Sequence, residues 1–121
     1  MEKILLVGAG GALGAMLRYL VSLLPFRGDF PLATLLVNVL GAVAIGFITG
    51  LTLSRNPPGD GMVLFLKTGL CGGFTTFSTF SLEALNLMQE GQWWQAIVYM
   101  VASCVLSVLA ALLGSYLGNR V

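Results

Sequence analysis

Residues 62–88 read MVLFLKTGLCGGFTTFSTFSLEALNLM. The stretch is long enough to cross a bilayer and carries only Lys67 and Glu83 as charges, yet its middle is wrong for a lipid-facing helix. Gly72, Gly73, Thr75, Thr76, Ser78, Thr79 and Ser81 fall within ten positions, interleaved with Phe74, Phe77 and Phe80. Broken backbone at membrane depth survives only where protein buries it or water reaches it, because lipid supplies no hydrogen bonds. The stretch therefore reads as a membrane helix interrupted to bind an ion.

The rest of the chain supports that reading. Hydrophobic residues make up 57% of the sequence and charged ones 9%, against about 25% charged in soluble proteins. This is an integral membrane protein. A net charge of +1 without a basic run gives no footprint for nucleic acid. Cys71 and Cys104 lie in apolar stretches without metal-ligand spacing, so they read as buried free thiols. There is no histidine, the commonest general base. Gly8, Gly10 and Gly14 after an apolar run imitate a dinucleotide-binding turn, but membrane-like sequence follows where a second strand and its acid should stand.

Charges and turn residues divide the chain into four expected spans, at residues 4–24, 32–53, 62–88 and 93–117, in a single domain covering 1–121. The first is read as a retained span, since no cleavage-like site or polar mature region follows it. Trp93 and Trp94 fit an interfacial aromatic belt. Four spans put both termini on one side with Lys3, Arg55 and Arg120, and leave Arg27 with Arg18 opposite. So small a bias leans towards cytoplasmic termini and is compatible with insertion in both orientations. Glycine pairs four apart recur in every span: Gly10 with Gly14, Gly46 with Gly50, Gly69 with Gly73, and Gly114 with Gly118. These suit close helix contact. Four helices alone do not enclose a conduit while burying so many small faces, so the chain is expected to oligomerise.

Several polar residues stand out against this background. Arg18, near the end of span one, either snorkels to the interface or faces an aqueous vestibule, where its field gathers anions. Asn38 is the strongly polar residue in the core of span two; it either bonds across helices or offers its amide N–H groups to a desolvated anion. Phe77 and Phe80 are three apart and share a helix face. Ring edges carry partial positive charge and suit a small anion without a fixed cation that traps it. Carbonyls released where the helix unwinds, around Gly72 and Gly73, suit a hard cation. Ser103 and Ser107, four apart on span four, either bond back to helix carbonyls or form a hydroxyl track.

The motif GLCGGFTTFSTFSxE at residues 69–83, with GAxxRY at 14–19 and Val37-Asn38, closely resembles the Fluc (CrcB-type) fluoride channel family over the whole chain. The resemblance implies a four-helix subunit with a broken third helix, assembled as an antiparallel dual-topology homodimer in the cell membrane. It implies passive, fluoride-selective conduction that lowers cytoplasmic fluoride, and no enzymatic activity. By the same resemblance Asn38, Phe77, Phe80, Thr79, Ser103 and Ser107 belong to the fluoride pore and Arg18 to the vestibule. The resemblance further implies that the backbone carbonyls of Gly72 and Thr75 hold a structural sodium ion at the dimer centre. The residues point the same way on coupling: Glu83, the one acid within a span, reads as lying near an end, whereas a proton-driven transporter wants a titratable group at mid-membrane. Two rivals are a small dual-topology drug exporter, which needs a carboxylate early in the chain, and a non-transporting assembly subunit.

Overall fold

A computed structural model describes all of residues 1–121 as helices and short connectors, with no strand. Three helices are long and apolar enough to cross a membrane: α1 (Glu2–Ser22), α2 (Leu32–Leu51) and α6 (Trp93–Asn119). At 1.5 Å per residue they reach about 32, 30 and 40 Å. The central stretch is assembled from pieces. A first turn, α3 (Asp60–Val63), runs into a π-helical segment (Leu64–Cys71) and a short α4 (Gly72–Phe74); α5 (Phe77–Gln89) follows after a break.

The break lies later than the glycines suggest. Gly72 keeps helical angles, φ −62° and ψ −39°. The chain extends only at Thr75 (φ −83°, ψ 158°) and Thr76 (φ −150°, ψ 124°). Gly69 and Gly73 serve contact instead of unwinding. A Cβ on Gly73 would drive into the backbone of Gly11, and one on Gly69 would stand 2.9 Å from the Val7 carbonyl oxygen and 3.0 Å from Gly10 Cα. The π winding belongs to this contact. Gly10 packs on the Phe65 carbonyl and Leu70 amide, five residues apart, while Gly14 packs on the Leu70 carbonyl and Phe74 amide, four apart. The wider turn thus returns to α spacing between those two glycines.

The second pair of helices is joined in the same way. Gly46 packs against the Ala111 backbone, Gly50 against Ser115 and Asn119, and Gly114 and Gly118 against Val43 and Phe47. Such backbone approach replaces the hydrophobic drive that lipid removes. Between the two pairs, α5 leans on α6 through Ala84, Leu87, Ala96 and Tyr99, with Phe30, Leu35 and Phe80 around them. Gln92 Nε2 donates to Asp29 Oδ2 at 2.9 Å, tying the connector after α1 to the one before α6 at one end of the molecule. Gly28 and Gly91 turn these connectors with φ of +90° and +79°, which other residues rarely adopt.

Only 17 of 121 residues are buried, and Leu5, Leu20, Leu109 and Leu112 are among the large apolar side chains left outside. That surface needs lipid or another subunit to cover it. Trp93 and Trp94 project at one end of α6, and the Arg120 guanidinium lies 4.5 Å over the Tyr116 ring at the other. Amphipathic rings thus mark both ends of the longest helix.

Candidate functional site: the broken helix and its two cavities

The break is held open by a side chain from another helix. Asn38, midway along α2, accepts from the Thr76 amide at 2.8 Å through Oδ1 and donates to the Thr76 carbonyl at 3.0 Å through Nδ2. This is the pairing of two extended strands, made by one carboxamide. The Thr76 hydroxyl then accepts the Thr79 amide at 3.2 Å and caps α5. On the other side, the Cys71 carbonyl takes both the Thr75 amide (3.0 Å) and the Thr75 hydroxyl (2.9 Å). Arg18 Nε, from α1, donates to the Gly73 carbonyl at 3.3 Å. Arg18 is therefore anchored to the broken helix as well as half exposed, an outcome between snorkelling and a free vestibule cation.

Two cavities flank the break. The larger, about 440 Å³, is lined by Asn38, Gly41, Ala42, Ile45, Cys71, Thr75, Thr76, Phe77, Phe80, Ser103, Cys104, Ser107 and Val108. It brings together Asn38, both phenylalanines, both span-four serines and Thr75. One N–H of the Asn38 amide is committed to Thr76; the carboxamide carries two, so a second remains. The Phe77 and Phe80 ring centroids are 5.7 Å apart at 46°. Phe77 is 80% exposed, so the wall it forms is incomplete within one chain. Ser103 is buried, and its hydroxyl finds no partner; it does not bond back to its own helix.

The smaller cavity, about 120 Å³, is lined by Arg18, Tyr19, Ser22, Ala33, Thr34, Val37, Thr76 and Thr79. Thr79, expected beside the aromatic rings, thus shares a space with Arg18. The reason is angular: two residues along an α-helix is about 200°, so Thr79 points nearly opposite Phe77. Gly72 stands with open space where a Cβ would be.

Two residues of this region, Thr34 and Tyr99, carry signals that sequence reading passed over. Thr34, one turn before Asn38 on α2, donates its hydroxyl to Glu83 Oε1. Glu83 is half-buried at the middle of α5, six residues before the broken span ends at Gln89. Tyr99 is 0% exposed with its hydroxyl unpartnered, its ring 5.0 Å from Phe80 and 5.6 Å from Phe30. Its spacing to Ser103 and Ser107, four and eight residues, puts all three on one face. That regularity was available in the sequence.

Comparison with known proteins bears on the whole of this arrangement. The model of the family described as "CrcB-like protein, Camphor Resistance (CrcB)" matches residues 5–115. A relative from Rhizobium meliloti (strain 1021), named "Fluoride-specific ion channel FluC", is 50% identical over 117 residues, covering 94% of each chain. One of the same name from Azobacteroides pseudotrichonymphae genomovar. CFP2 is 44% identical with the same coverage. A third, from Ruminiclostridium cellulolyticum, is 46% identical over 98% of this chain and 91% of its own. The matches run through both glycine-packed helix pairs and the break between them. The chain belongs to the CrcB-like family of membrane proteins.

Proposed function

We propose that this chain is a fluoride-selective passive channel of the cell membrane, a transport protein and not an enzyme, which lets fluoride leave the cytoplasm down its electrochemical gradient. The observation that carries the proposal is the larger cavity: an amide, two phenyl rings and a buried hydroxyl without a partner converge there beside a break in a membrane helix. Fluoride gives up water reluctantly, so a conduit must offer replacement donors that hold it weakly enough for exit. The free Asn38 N–H, the Ser103 and Ser107 hydroxyls and the edges of Phe77 and Phe80 are such donors. Arg18 and Thr79 form the vestibule, where the guanidinium raises the local anion concentration.

The subunit spans the membrane four times, with residues 60–89 as one broken span, and two copies assemble antiparallel. The tie between Asp29 and Gln92 supports the first point, because connectors one and three of a four-span chain share a side. The 80% exposure of Phe77 supports the second: one wall of the conduit has to come from a partner. A structural sodium ion suits the same break. The hydrogen bonds around it leave the carbonyls of Gly72 and Thr75 unclaimed, and hard cations take oxygen ligands. Gly72 and Thr75 would hold the ion, which supplies positive charge at the carbonyl end of a half-helix.

Proteoliposomes loaded with fluoride test the reading. Electrogenic fluoride efflux without a proton gradient, and little chloride flux, is the expected outcome. Folded protein that carries no fluoride current ends the proposal. A C-terminal tag reachable from one face only, in every molecule, ends the dual orientation.

A further inference from the structure

In an unbroken α-helix the Thr76 amide would bond to the Gly72 carbonyl, four residues back. Three neighbouring carbonyls at the break have an assigned donor, whereas that of Thr75, like that of Gly72, has none. The Gly73 carbonyl receives Arg18 and the Cys71 carbonyl receives Thr75 twice. The Thr76 carbonyl receives Asn38 Nδ2. The Thr76 amide has gone to Asn38 Oδ1, at 2.8 Å, and the Gly72 carbonyl is left without its donor. A backbone acceptor without a partner is costly in a dry interior and therefore marks a place where something else binds.

We infer that Asn38 is a positioning residue of the cation site: by capturing the Thr76 amide it keeps the Gly72 carbonyl free to coordinate a hard cation. The inference rests on the proposed role of Gly72 and Thr75 as sodium-holding carbonyls. It assigns Asn38 two duties on opposite ions. Its oxygen prepares the cation site through Thr76, while Asn38, with one N–H uncommitted, lines the cavity proposed for the anion. Without the Asn38 oxygen, the Thr76 amide returns to the Gly72 carbonyl and the helix closes over the site.

The test reads sodium binding through stability, apart from conduction. Thermal unfolding of the purified protein is followed as sodium replaces N-methylglucamine at constant ionic strength, since an ion that binds the folded state alone raises stability with its concentration. Asn38→Ala should need about tenfold more sodium for the same rise, the equivalent of one lost ligand competing with a hydrogen bond. Replacing the Thr76 amide by an ester in the Asn38→Ala background removes the competing donor and should restore the wild-type sodium response. A role confined to packing does not yield that rescue. An Asn38→Ala protein with the wild-type sodium response overturns the inference, as does an ester double variant that folds without regaining it. If Asn38→Ala alone does not fold, the double variant decides: folding with a sodium response supports the inference, and failure to fold overturns it. A wild-type protein indifferent to sodium overturns the sodium reading itself, and the inference with it.

Discussion

Arg18 Nε donates to the carbonyl of Gly73 at 3.3 Å, joining the one charged residue of α1's membrane face to the last turn before the broken helix opens. The bond answers two demands. It satisfies an acceptor that the break deprives of Phe77's amide, and it fixes a positive charge at the mouth of the smaller cavity.

Arg18→Gln should therefore act on both stability and conduction. Loss of a charged donor to a half-buried carbonyl costs about 1.5–3 kcal/mol in thermal or denaturant unfolding. Fluoride current should also fall, and the deficit should narrow as ionic strength rises, because a vestibule field is screened by salt. An equal deficit at low and high salt would assign Arg18 to packing alone.

Phe80 stands 5.0 Å from Tyr99 and 5.7 Å from Phe77, at the junction of the packed core and the larger cavity. Phe80→Ile keeps an apolar side chain and gives up two aromatic contacts, about 0.5–1.5 kcal/mol each. The variant should still fold, while fluoride current drops by about two- to tenfold, as loss of a ring edge of that strength predicts. Unchanged conductance would remove the rings from the mechanism.

Ser103 separates folding from function by sign. Its hydroxyl is buried without a partner, so Ser103→Ala removes an unmet polar group and should leave stability unchanged or raise it by up to about 1 kcal/mol. Fluoride flux through reconstituted protein should nevertheless decline. A variant less stable and equally conductive would show that the hydroxyl bonds within the fold.

Glycines can be sorted by what surrounds them. A Cβ on Gly46 would enter the Ala111 carbonyl, where only backbone could yield, whereas one on Gly8 meets nothing within 4 Å. Gly46→Ala should lower the unfolding midpoint by the equivalent of about 1–3 kcal/mol, in the range of overpacked cores. Gly8→Ala should stay within about 0.5 kcal/mol of wild type. Equal effects in the two variants would contradict the packing of α2 on α6.

The sequence by itself determined the class of protein, three membrane-length helices to within about two residues at each end, and the glycine pairs that pack the helices together. These are local or periodic properties: an apolar run long enough for a bilayer has few other uses, and small residues four apart present one narrow face. It also marked residues 62–88 as broken and brought Asn38, Phe77, Phe80, Ser103 and Ser107 under suspicion together. Where the break falls was a tertiary matter. Gly72 and Gly73 look like the weak point, but Gly73 is spent on contact with Gly11 and Gly72 stays helical. The chain parts at Thr75 and Thr76 because a carboxamide 38 residues away offers the Thr76 backbone a better pair of bonds than its own helix does. No local pattern announces such a partner. The π turns at Leu64–Cys71, the turning of Thr79 towards Arg18, and the lone hydroxyls of Tyr99 and Ser103 depend likewise on which helix lies alongside. Hydropathy and spacing fix what a segment is; the destination of each backbone and side-chain donor is decided only when the helices meet.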